Sequence, residues 1–259
     1  MNASLNRFFS WKRCIALLCA DWRLNYKRYL YTFTGALVVM YVILFVSMYN
    51  GSEYSDTDYY PVIVIGMLGL IFFIGSSFPA FNRSTGTADY LLLPASTFEK
   101  YLTQFIIYVV LGTVCYFLIL GIDAHLARWT VLARAAVRSE VVEIAPFRYS
   151  LLWDFPQWPF AWLSVLSIGL AMFAIRLFFK NHAFVKSVLV FAGIVGLWLC
   201  CMSGYTHLFY PDTDRFIELW TYIVYKDVQN MAIYMYCLCC CICLTALPLA
   251  YYKLKEKKL

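Results

Sequence analysis

The side chains of this 259-residue chain that could carry chemistry are ten cysteines, three histidines and a thin scatter of carboxylates. Seven cysteines, Cys200, Cys201, Cys237, Cys239, Cys240, Cys241 and Cys243, fall in two apolar runs near the C-terminal end. Cys240 and Cys243 have the C-x-x-C spacing of metal thiolates and redox pairs, but an apolar run lacks the hydrogen-bonding surroundings that orient such ligands. They read as small apolar residues for helix packing. The cysteines avoid the polar connections, so they offer no extracellular disulfide framework. His125, His182 and His207 are far apart, and no Ser-His-Asp or metal-ligand spacing joins them. A Walker A loop, G-x-x-x-x-G-K-[ST], is missing because no lysine follows a glycine. No catalytic, cofactor-binding or metal site is therefore assigned, and the chain reads as a non-enzyme.

The residues with the most built-in local structure are Ser84 to Tyr101, STGTADYLLLPASTFEKY. Pro94 lacks an N–H and pushes Leu93 away from helical dihedrals, so the short helix that contains Asp89 and its turn from Tyr90 to Leu93 must end there. Ser84, Thr85 and Thr87 can cap its start, where the charge of Asp89 suits the helix dipole. Ser96 and Glu99 then form an S-x-x-E capping box that opens a new helix at Thr97. Leu91, Leu92 and Leu93 are left facing lipid headgroups or another protein; the plainer alternative is a loop lying against its own bundle.

These elements belong to a chain that is 63% hydrophobic, 19% aromatic and 14% charged, with a mean hydropathy of +0.68. A soluble domain of this length carries about 25% charged residues, so the expected class is an all-α polytopic membrane protein. Residues 1–30 lack the clean apolar stretch of a signal peptide, being interrupted at Asp21 and followed by Arg23, Lys27 and Arg28. Phe8, Trp11, Ile15, Leu18, Trp22, Tyr26 and Tyr29 recur at helical steps with Lys12, Arg23 and Lys27 off the stripe, which predicts an N-terminal interfacial amphipathic helix over 1–30. Six transmembrane helices follow at about Tyr31–Tyr49, Tyr60–Phe81, Thr97–Gly121, Pro159–Phe179, Ser187–Tyr205 and Met231–Tyr252, each near the ~20 residues that cross the hydrocarbon. Pro248 is expected to kink the last.

Both termini are expected to be cytoplasmic, because that arrangement puts fifteen of the 21 cations inside and leaves Arg128, Arg134, Arg138, Arg148, Arg215 and Lys226 outside. The net charge of +6 then reports orientation and makes no case for nucleic acid. The whole chain is a single transmembrane domain, 1–259, with a cytoplasmic segment at 84–96 and outer loops with helices at 122–158 and 206–230. In the first loop Leu126, Trp129, Leu132, Ala133, Ala136 and Val137 make a helical pattern; in the second Phe216, Leu219, Trp220, Ile223 and Val224 share a face. Asp123 and Arg176 are expected at span ends, reaching water. With no ionisable group at mid-span and no repeated halves, an ion-coupled carrier is disfavoured. Gly66 and Gly69, and Gly193 and Gly196, are expected to permit close helix contact.

This order of elements resembles the membrane (permease) subunit of type-2 ATP-binding cassette (ABC) exporters. DYLLLPASTFEKYL, Asp89 to Leu102, is similar to the "L-P-x-S-x-x-E-K" segment of that class, particularly in small permease-like proteins of the Bacteroidetes. The architectural likeness covers nearly the whole chain, the motif some fourteen residues. The long 122–158 loop and the cysteine-rich last span depart from the pattern. The resemblance implies a permease in a bacterial cytoplasmic (inner) membrane, moving a hydrophobic or amphiphilic substrate with ATP hydrolysed by a separate ABC ATPase subunit. Asp89, Tyr90, Leu91, Leu92 and Leu93 would be the docking surface, Pro94 would set its angle, and Ser96, Glu99 and Lys100 would fix the start of span three. Besides the lipid bilayer, the implied partners are that ATPase and a second permease copy or paralogue. The alternative is a non-transporting membrane scaffold or assembly protein.

Overall fold

The computed structural model describes residues 9–50, 59–82, 90, 92–137, 144, 146–152, 158–179, 185–194, 196–197, 200 and 228–256. Its principal helices are α1 (Trp11–Asn50), α2 (Tyr60–Gly75), α3 (Thr97–Val137), α4 (Trp158–Arg176), α5 (Val185–Ile194) and α6 (Val228–Glu256). No strand occurs among the described residues. Three helices, α1, α3 and the Tyr236–Glu256 part of α6, are long and apolar enough to cross a membrane.

The observed helix ends differ from the expected spans for local reasons. The amphipathic stretch and the first apolar stretch are one rod, because nothing between Trp11 and Asn50 breaks a helix except the tolerable Gly35. At 40 residues it is about 60 Å long, twice the hydrocarbon thickness. The second expected span, drawn to Phe81, stops at Gly75. Ser76 and Ser77 follow, Phe78 takes a left-handed φ of 52°, and Pro79–Asn82 forms one 3-10 turn. Glycine, then a left-handed residue, then proline is a helix-stop sequence. At 16 residues, α2 is about 24 Å long and short of a full crossing. The third expected span, drawn to Gly121, continues to Val137, so the helical pattern at 126–137 is its last stretch. α6 runs through Pro248 without interruption. The helix proposed at 216–224 lies outside the described residues.

The chain divides into two compact units, Met1–Ser77 with Leu93–Pro159, and Phe78–Leu92 with Phe160–Leu259. In the first, α1 and α3 run parallel. Their side chains meet in the same chain order at Cys14 and Thr103, Tyr29 and Tyr108, and Tyr41 and Thr130, the last by a 3.2 Å hydrogen bond. α2 lies antiparallel to both, with Gly112 of α3 beside Phe73, and Gly66 beside Met40 and Tyr116. The Tyr116 hydroxyl donates to the Ile63 carbonyl at 3.2 Å, and Arg28 donates to the Ser76 carbonyl at the C-terminal end of α2 at 3.2 Å. After α3 the chain folds back on it. Phe147 meets Tyr59, His125 and Tyr149 ring to ring, Tyr149 donates to the Phe117 carbonyl, and Arg128 donates to the Ile144 carbonyl.

In the second unit, Phe78 packs on Phe81 and on Phe173 of α4, with ring centroids 5.7 and 5.0 Å apart. Cys239, Ala246, Ala250 and Leu254 form the buried stripe of α6 at helical steps. Lys253 lies over the Phe178 ring and pairs with Glu256.

Many apolar side chains face outward. Val38, Val42 and Val46 on α1, Leu68 and Phe72 on α2, Val114, Leu118 and Ile122 on α3, and Leu244 and Leu249 on α6 are all exposed. Helices that are apolar on their outer as well as their inner face suit a solvent of lipid chains.

Candidate functional site

The segment around Pro94 is built from a turn and a capped helix start. The Ala95 N–H donates to the Leu93 carbonyl at 2.7 Å, closing a tight i to i+2 turn over Pro94. Two residues on, the box forms with both arms. The Glu99 N–H donates to Ser96 Oγ at 3.1 Å, and the Ser96 N–H donates to Glu99 Oε2 at 2.8 Å. The last turn before the proline is helical at Tyr90 and Leu92. Tyr90 is half-buried with its ring edge-on to Phe81, whereas Leu92 is 80% exposed and Leu93 lies at the margin of exposure. Asp89 and Leu91, and the caps proposed at Ser84, Thr85 and Thr87, lie outside the described residues. The unit boundary falls between Leu92 and Leu93, so Tyr90 and Leu92 belong to the second unit and Pro94, Ser96, Glu99 and Lys100 to the first.

Glu99 does more than cap its own helix. Its Oε1 accepts the Ser10 N–H at 2.7 Å and the Arg13 Nε at 3.0 Å, and Arg13 Nη2 stands 2.9 Å away. One fully buried carboxylate thus satisfies the first turns of α1 and α3 together. Phe9 packs against Phe98 beside it, and Lys100 is buried as well. Sequence reasoning found the Ser96–Glu99 pair but not Ser10 or Arg13. Arg13 had been placed only among the inward cations, and no local pattern links it to a carboxylate 86 residues away.

A second polar cluster lies farther along the α1–α3 seam, where Asp21 accepts from Asn25, from Gln104 of α3 and from the Tyr29 hydroxyl, the last at 2.5 Å. The Tyr29 oxygen is 3.4 Å from that of Tyr108, which is left to be the donor of that contact. Tyr108 sits in Ile106–Leu111, where α3 widens into a π-turn. Such an insertion adds a residue to the turn and re-aims the side chains beyond it.

Several expected placements are corrected. Asp123 was expected at a span end reaching water; it is fully buried inside α3, and neither carboxylate oxygen has a hydrogen-bond partner among the described residues. Arg176 is also fully buried rather than reaching outward. A Cβ on Gly66 would strike the Tyr116 ring, so close packing holds there; at Gly69, Gly193 and Gly196 a Cβ would meet nothing within 4 Å. The nine described cysteines are free. Of the C-terminal cluster, Cys239 is buried, with Sγ 3.7 Å from Ser164 Oγ, while Cys237, Cys240 and Cys241 are exposed on α6. Helix packing therefore accounts for Cys239 and not for those three. Among the described residues no group of three His, Cys, Asp or Glu side chains could hold a metal.

The described geometry is thus a capped helix start, a proline turn and an exposed leucine. No family model, curated protein or solved structure matches the chain.

Proposed function

We propose that this protein is a multi-pass permease of a bacterial inner membrane that works with a separate ATP-hydrolysing subunit. In this reading it crosses the bilayer six times with both termini inside and takes its mechanical input at residues 84–96. ATP chemistry stays on the partner chain, which docks on Asp89, Tyr90, Leu91, Leu92 and Leu93, and the cargo is hydrophobic or amphiphilic. A homodimer, or a pair with a paralogous permease, encloses the path.

The observation that carries the reading is Leu92, 80% exposed two residues ahead of a proline turn whose far side is clamped to the rest of its unit by Glu99. A push needs a stiff lever. The Pro94 turn and the doubly satisfied capping box supply stiffness, and an exposed leucine beside them supplies an apolar contact. The parallel course of α1 and α3, with α2 antiparallel to both, supports helices that enter one bilayer in alternating directions.

The test is affinity purification of the tagged full-length chain from mild detergent. A nucleotide-binding subunit should accompany the unaltered protein, and Leu92→Asp should reduce its recovery at least about tenfold, as burial of a charge at an apolar contact requires. If Leu92→Asp folds normally and recovers the same ATPase, the docking assignment is wrong. If no ATPase accompanies the unaltered chain, the permease reading gives way to the scaffold.

A further inference from the structure

We infer that the first unit holds one chain of an anionic phospholipid in a groove between α1, α2 and α3, with the headgroup at Arg23. The groove has two adjoining chambers, of about 300 and 430 Å³, that have Phe33, Phe73, Gly112 and Cys115 as common walls. Each falls within the range of small-ligand clefts, roughly 300–1,000 Å³. The first chamber is apolar throughout its deep part, and its floor is opened by two glycines: a Cβ on Gly35 or on Gly69 would meet no atom within 4 Å. Glycines that no neighbouring side chain crowds are not serving helix contact. Here they leave open space in the wall of the chamber.

The second chamber leads toward the N-terminal end of α1, where Trp22 and Arg23 line it beside Leu18. Lys27 is exposed one turn farther along the same face of α1. An exposed guanidinium lining an apolar chamber, with an exposed ammonium one turn along the helix, complements a lipid whose head is anionic and whose tail is hydrocarbon. Basic pockets between membrane helices on the cytoplasmic side take such headgroups. Asp21, the nearby acid, is already engaged by Asn25, Tyr29 and Gln104 and is turned to the α1–α3 seam.

The inference rests on the membrane setting but not on an ATPase. The experiment is native mass spectrometry of the delipidated full-length chain titrated with phosphatidylglycerol or phosphatidylcholine. One phosphatidylglycerol per chain should be retained in preference to phosphatidylcholine. Gly69→Leu, which fills open space, should cut retention about tenfold or more without changing helix content or melting temperature. Arg23→Gln should lower the preference for the anionic lipid about fivefold, the value of one cation at a membrane surface. Gly193→Leu, an equally uncrowded site outside the groove, should change neither.

Retention unchanged in Gly69→Leu overturns the proposal, as does equal retention of the two lipids. A fall in melting temperature with no loss of lipid also overturns it, since another helix would then be the occupant. Release of the chain from alkali-washed membranes without detergent would instead defeat the membrane setting, a separate and distinguishable failure.

Discussion

Glu99 is the residue on which the N-terminal ends of α1 and α3 depend. Its Oε1 accepts the Ser10 N–H and the Arg13 guanidinium, and its Oε2 accepts the Ser96 N–H of the box. Glu99→Gln keeps the size and removes the charge, but its amide turns two hydrogens toward groups that are themselves donors. Hydrogen bonds to a charged group contribute about 1.5–3 kcal/mol. The substitution should therefore lower the detergent melting temperature by several degrees, at roughly 2–4 °C per kcal/mol. Ser96→Ala removes only one arm and should cost about 1 kcal/mol. Equal shifts for the two variants in a thermal scan would show that Ser10 and Arg13 gain nothing from Glu99. Asp123 has the opposite sign. A buried carboxylate with no partner among the described residues is a cost to the fold, and Asp123→Asn should leave the melting temperature equal or raise it. A fall would reveal a partner for the charge.

The same residues mark what the sequence could disclose. The capping box was legible because its partners lie three apart and their chemistry is local. The clamp to Ser10 and Arg13 was not, since 86 to 89 residues separate the partners and only the fold brings them together. Gly66 and Gly69 look alike in sequence. Three residues of α2, about 300° of rotation, separate the one that meets Tyr116 from the one that faces open space.

At the scale of elements, hydropathy located the apolar runs, while the helix ends followed backbone chemistry. α1 fuses two stretches that differ in polarity because polarity alone does not stop a helix. α2 ends early because Gly75, Phe78 and Pro79 do stop one. α3 passes Gly121, where the loss relative to alanine is only about 1 kcal/mol, and the absent side chain makes room for the Tyr149 hydroxyl. The π-turn at Ile106–Leu111 had no signal, since IIYVVL reads equally well as α-helix. Its consequence can be measured. Deleting Val110, an exposed residue, should let α-helix close over the gap while Glu99, Tyr116 and Thr130 keep their faces, because the turn already absorbs one residue more than α-helix. Deleting Val114, exposed in the α-helical part beyond, should instead rotate everything before it by about 100° relative to everything after and turn Glu99 away from α1. The melting temperature should fall much further for the second deletion than for the first. Equal falls would mean that the π-turn absorbs nothing.

For the whole molecule, the parallel pairing of α1 and α3 constrains the topology more tightly than charge counting does. Two parallel helices that both enter the bilayer must start on the same side. Ser10 and Arg13 are held at the start of α3 by Glu99, so the N-terminal end and the Pro94 turn share a compartment. At the far end of the pair, Arg134 lies over the Tyr49 ring, 4.6 Å from its centroid. α3 is 41 residues long, about 60 Å and twice the hydrocarbon thickness, so a crossing that begins at its N-terminal end leaves its last turns clear of the hydrocarbon. Val137, at its end, is 86% exposed. With the native cysteines replaced, Val137→Cys should react with a membrane-impermeant maleimide on intact cells, and Leu92→Cys should react only after the membrane is opened. Labelling of both on intact cells would leave α3 lying along one surface and remove the basis for a cytoplasmic lever. Labelling of Leu92→Cys alone would invert the topology, and the positive charge at the N-terminal end of α1 would then face outward, against the bias that orients membrane helices.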